Sequence, residues 1–120
     1  MLRDERDAAY LWDMLETAQI VQRLVAGMTF ERYCADRDKQ LATERALEII
    51  GEAARRVSEP FKQAHSDIPW SAIIGQRNVL AHDYVKIRQD RVWATLTEHV
   101  PKLVAALRPL IPPLPPEVPE

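Results

Sequence analysis

An all-α fold is predicted by three observations. Apolar residues recur at three- and four-residue steps over long stretches, no segment alternates apolar and polar in the way of a half-buried strand, and capping residues stand at the ends of the periodic runs. The 120 residues, 47% of them hydrophobic, suffice for one domain with a single core. The pattern resolves into four main helices plus short ones, closed by a proline-rich end.

From Asp4 to Met28 the residues Leu11, Met14, Leu15, Ala18, Val21, Leu24, Val25 and Met28 mark one face of a long amphipathic helix. Asp4, Glu5 and Asp7 suit the positive end of its dipole, and Gly27 stands where it should stop. Thr29 is placed to cap a short helix from Phe30. Asp36 or Asp38 is placed to cap the second long helix, which carries Leu41, Ala46, Leu47, Ile50, Ala53, Ala54 and Val57 inward. Ser58 and Pro60 end it and open a short helix through Phe61 and Ala64.

Pro69 then starts a third main helix, with Trp70, Ile73, Ile74, Val79 and Leu80 on its apolar side. Asp90 is the expected cap of a fourth, packed through Val92, Trp93, Leu96, Val100, Leu103, Val104 and Leu107, with a kink or restart at Pro101. The helical domain is expected over residues 1–108, and 109–120 as an extended tail too rich in proline for helix or central strand.

Composition narrows the function classes. Acidic and basic residues are nearly balanced, 18 against 16, so any nucleic-acid contact must be local. A single cysteine, Cys34, excludes an intramolecular disulfide or a thiolate metal cluster and reads as a small packing residue in a reduced, cytoplasmic protein. No run approaches the roughly 20 apolar residues of a membrane span.

Chemistry concentrates in R-N-V-L-A-H-D-Y, residues 77–84, near the end of the third main helix. An imidazole, with an ordinary pKa of about 6.5, takes and gives protons near neutrality, which makes His82 the acid/base candidate. Arg77 presents a fixed fork of donors that matches phosphate oxygens. On a regular helix Asn78 shares a face with His82, whereas Arg77 and His82 are splayed by about 140°. The residues alone therefore leave two readings open: a phosphodiester site, or a histidine that caps the last turn beside an ion-paired arginine. Nearby, Glu44, Glu48 and Glu52 form a row at four-residue steps that reads as a solvated face. Gly51 costs about 1 kcal/mol in a helix relative to alanine, which points to close helix contact there. Lys86, Arg88 and Arg91 offer local attraction for phosphate, and His65 and His99 read as surface or loop residues.

The run I-P-W-S-A-I-I-G-Q-R-N-V-L-A-H-D-Y, with R-A-L-E-I-I-G-E-A-A at residues 45–54, closely resembles the HEPN-domain toxins of the HepT family. The resemblance implies an HEPN-type antiparallel helical bundle and a metal-independent endoribonuclease that needs no cofactor. In it, Arg77 and His82 match the catalytic pair of an R-x4-H-x-Y signature, and Asn78 the polar residue after the arginine, which positions substrate. It further implies a homodimer with a composite site, cleaving tRNA or mRNA. The implied partner is a minimal nucleotidyltransferase antitoxin of the MntA type, in a type VII-like toxin–antitoxin pair that can form a larger hetero-oligomer. That antitoxin would silence the toxin by AMPylation of Tyr84. Glu52, Lys86 and Arg88 are the supporting candidates, Glu52 because its place in the family-like I-G-E-A-A run suits it to reach Arg77 or a dimer partner. The competing expectation is a non-catalytic HEPN module that binds a nucleotidyltransferase or a nucleotide.

Overall fold

The computed structural model describes residues 3–82, 85 and 87–111, with side chains from Arg6 onward. The expectations for Tyr84, Lys86 and residues 112–120 lie outside the described residues. Helix α1 (Arg3–Val25) ends at a turn where Gly27 adopts φ +75°, a left-handed conformation that a glycine enters without the steric cost of a Cβ. Thr29 caps α2 (Phe30–Cys34) by accepting the Arg32 N–H at 3.2 Å. Asp36 caps α3 (Arg37–Arg56) through the Lys39 N–H at 3.0 Å. Ser58 caps α4 (Glu59–Ala64), and α5 (Trp70–His82) follows Pro69 directly.

The last rod is interrupted. α6 (Gln89–Ala94) runs through a π-helical turn (Thr95–His99) into α7 (Val100–Leu107). The Val100 N–H bonds to the Thr95 carbonyl five residues back, which widens the turn. Pro101 is the physical cause. It has no N–H to give the Thr97 carbonyl four residues earlier, and its ring needs the space that carbonyl would occupy. The Thr97 hydroxyl also draws on the helix ladder, donating to the Trp93 carbonyl at 2.9 Å. A 3-10 turn, Arg108–Leu110, follows α7, with Leu110 and Ile111 packed against the core.

No strand occurs among the described residues, so the fold is all-α, a helical bundle. α3 is central, with α1 on one side and α5 on the other, and α1 also packs on α7. The core is formed by Leu11, Met14, Ala18 and Val21 of α1, Leu47, Ile50 and Ala54 of α3, Leu80 of α5 and Leu96, Val104 and Leu107 of the last rod. Beside it, Tyr33 is fully buried against Trp93, ring centroids 5.2 Å apart. Its hydroxyl lies 2.9 Å from Thr43 Oγ1, and because that threonine donates to the Lys39 carbonyl at 2.8 Å, Tyr33 is the donor. Burial raises the Tyr33 phenol above its ordinary value of 10.0, against the lowering effect of the Thr43 contact.

Several sequence expectations are corrected. Cys34 is exposed, because α2 is a one-turn connector whose last residue faces out. Leu41 and Val79 are also exposed, at 49% and 37%, although their spacing put them inward. Asp7 is buried: it reaches across the bundle to accept the Ser58 N–H at 2.9 Å and the Ser58 hydroxyl at 2.6 Å. Glu44 is buried as well, accepting Gln89 Nε2 at 2.8 Å, so the glutamate row is not one solvated face. α6 begins at Gln89, and Asp90 sits in its first turn paired with Arg88 at 3.0 Å instead of capping it.

Candidate active site

The site begins with a close helix crossing. Gly51 of α3 is buried against α5, and a Cβ built there would overlap the Arg77 Cβ and lie 3.0 Å from the Ile73 carbonyl oxygen. A bare glycine therefore lets α5 approach until Arg77 lies against α3. The close packing that the helix-interior glycine signals in the sequence is the seat of the motif arginine.

The next residue of α3 receives its charge. Glu52 Oε2 forms a salt bridge with Arg77 NH2 at 3.1 Å, while Arg55 NH2 and Arg56 Nε donate to Glu52 Oε1 at 2.7 and 3.1 Å. Hydrogen bonds from Arg55, then Arg56, hold the Glu52 carboxyl at about 2, against an ordinary 4.5, with the charges of Arg55 and Arg77 acting in the same direction. Arg77 NH1 donates to Asn78 Oδ1 at 3.0 Å. Its Nε is buried and finds no hydrogen-bond partner among the described residues. Three guanidinium groups thus converge on one carboxylate.

A cleft at this corner is lined by Tyr10 and Asp13 of α1, by Arg45, Glu48, Ile49, Glu52 and Arg56 of α3, and by Arg77. Tyr10 and Asp13 carry no local sequence signal for this role, since they arrive by packing of α1 on α3. His82 is the last residue of α5 and is exposed. α5 is helical up to it, so Arg77, turned toward Glu52, and His82 point to different sides of one helix. The structure brings together Arg77, Asn78 and Glu52 and leaves His82 at the helix end facing outward. Arg88 lies on the far side of the loop, exposed and engaged with Asp90.

A helical bundle that pins an arginine against a neighbouring helix and ends the same helix on an exposed imidazole has the layout of the R-x4-H class of helical domains. The family model described as ribonuclease HepT-like matches residues 14–110, and the chain belongs to that family. It is 35% identical over 103 residues to the protein named "Probable ribonuclease HepT" from Thermococcus cleftensis, covering 86% of this chain and 92% of that one. A relative from Methanocaldococcus jannaschii is 35% identical over 95 residues, 79% of this chain and 87% of its own length. Another, from Caldanaerobacter subterraneus, is 31% identical over 102 residues, 85% and 91% of the two chains. Both carry provisional RNase names. No solved structure matches significantly. Among the described residues no helix is long and apolar enough to cross a membrane.

Proposed function

We propose that this chain is the ribonuclease toxin of a toxin–antitoxin pair, cutting RNA without a metal at a site shared by two copies. The observation that carries the reading is the fixed, partly exposed Arg77, seated on Gly51 and paired with Glu52, on the helix that ends in the exposed His82. The edge of the guanidinium that stays open to solvent suits a phosphoryl oxygen.

In the proposed reaction the 2′ oxygen of RNA attacks the adjacent phosphorus and the bond to the 5′ oxygen breaks. The products are a 2′,3′-cyclic phosphate and a 5′-hydroxyl. One proton leaves the 2′ oxygen for a base, and one reaches the departing 5′ oxygen from an acid. Arg77 stabilises charge on the non-bridging oxygens, and Asn78, bonded to Arg77, fixes the guanidinium plane. Each chain brings one motif imidazole, so a two-fold dimer that places two motifs across one cleft supplies both proton-transfer groups.

Glu52 acts as the clamp that orients Arg77. Tyr84 is the proposed AMPylation site, where a nucleotidyltransferase antitoxin adds a phosphate ester two residues from His82. The added negative charge and bulk repel RNA phosphate from the site. Lys86 and Arg88 lie beside it in the sequence and supply attraction to the RNA backbone.

Initial cleavage rates of a defined RNA test the assignment. His82→Ala loses about 10²- to 10⁴-fold, the usual contribution of a proton-transfer group. Arg77→Ala loses on the order of 10²- to 10³-fold, as for other charge-stabilising donors. Two variants that fold and cut as fast as wild type would remove Arg77 and His82 from the reaction, and a wild type that cuts no RNA would leave the non-catalytic module as the better description.

A further inference from the structure

The face between α5 and the α6–α7 rod holds a groove that neither α1 nor α3 covers. α5 packs mainly on α3 and the rod mainly on α1, so the two meet incompletely, joined by a Gln76 Nε2 to Thr95 Oγ1 bond of 3.1 Å. Two adjoining hollows share Ile73, Gln76, Thr95 and His99 and make one continuous groove. Its floor is aliphatic, formed by Ile50, Ile73, Leu80, Ile87, Val92 and Leu103. One rim carries the cations Arg91 and Lys102 along the rod; Arg88 beside it is paired with Asp90, and Asp67 also lines the groove.

We propose that this groove seats the chain's own residues 112–120, P-P-L-P-P-E-V-P-E. Position is the first reason. Ala106 lines the groove's end, and the 3-10 turn that follows it delivers the chain to Ile111 packed on the core. Reach is the second. Nine residues at about 3.1 Å each in polyproline II conformation span about 28 Å. The rod from Ala106 back to Arg91 is about 22 Å long at helical rise.

Chemistry is the third reason. Leu114 and Val118 match an aliphatic floor, and Glu117 and Glu120 match the cationic rim. Prolines bring no N–H to be stranded over apolar surface, and their preset φ reduces the ordering cost. RNA fits the rim but not the floor, whose lining holds no tryptophan, tyrosine or phenylalanine on which bases would stack.

Lys102, exposed on the rim, reports occupancy through the rate at which an amine-reactive ester modifies it, followed by peptide mass spectrometry. A tail seated nine-tenths of the time slows that rate about tenfold relative to a chain ending at Ile111. Leu114→Asp with Val118→Asp in the full-length chain gives the same release, and the free nonapeptide added to the shortened chain restores protection. Far-UV circular dichroism checks that every form is folded. Equal Lys102 reactivity in full-length and shortened chains overturns the proposal. Protection that grows with protein concentration also overturns it, by assigning the groove to a neighbouring copy. A short RNA that protects Lys102 equally in both chains overturns it in favour of a polyanion.

Discussion

Glu52 shows how one side chain ties stability to the site. Its depressed carboxyl, at about 2, means that the cluster with Arg55, Arg56 and Arg77 stabilises the folded chain fully above the unfolded value near 4.5. That contribution is lost as pH falls from about 4.5 through about 2. Denaturant midpoints of wild type should therefore fall across this window, and those of Glu52→Gln should fall less, because the amide has no proton to take up there. At neutral pH the same substitution frees Arg77 from its charged partner, and RNA cleavage falls through kcat more than through KM if orientation is what Glu52 provides. An identical acid midpoint shift in both proteins would remove Glu52 from the account. The link from Glu52 to Arg77 was legible through the I-G-E-A-A run that resembles the HepT family, not through the apolar pattern of α5. The burial of Glu44 and Asp7 was not, since their partners Gln89 and Ser58 lie 45 and 51 residues away in sequence.

Helix α5 is where local pattern and tertiary structure diverge. Its apolar residues fall on several sides, so no single face announces what it packs against, and Val79 remains exposed although its spacing put it inward. The contact with α3 is set by the absence of a side chain at Gly51. Gly51→Ala gains up to about 1 kcal/mol of helix propensity. It forces the new Cβ against Arg77 and the Ile73 carbonyl, at an overpacking cost of about 1–3 kcal/mol. The expected result is a lower unfolding midpoint together with reduced cleavage, since Arg77 is displaced along with α5. An unchanged midpoint and rate would show that α5 does not need the close crossing. Caps such as Thr29 and Asp36 were readable because capping is local chemistry, whereas Ser58 read only as a helix breaker, and the π-helical turn was foreshadowed by Pro101. The start of α6 was misread by two residues, since Asp90 pairs sideways with Arg88 instead of capping the helix.

At the scale of the molecule, the all-α bundle was legible from periodicity alone, and the order of packing around α3 was not, because four amphipathic helices admit several arrangements. The same limit applies to the site. Arg77 and His82 were named from sequence, yet on the unbroken α5 they face apart, which physical spacing foretold and which the proposed second copy would resolve. If both imidazoles of a dimer are needed, activity in mixtures of wild type with excess His82→Ala follows the square of the wild-type fraction. A linear dependence would mean that each chain works alone. The measurement that reaches the central claim most directly is the product chemistry of an RNA cut by the purified chain in excess chelator. Cleavage that leaves a 2′,3′-cyclic phosphate and a 5′-hydroxyl, abolished by a single 2′-deoxy substitution at the cut and by His82→Ala, is the predicted result. Cleavage that requires added metal, or that survives the 2′-deoxy substitution, would contradict it.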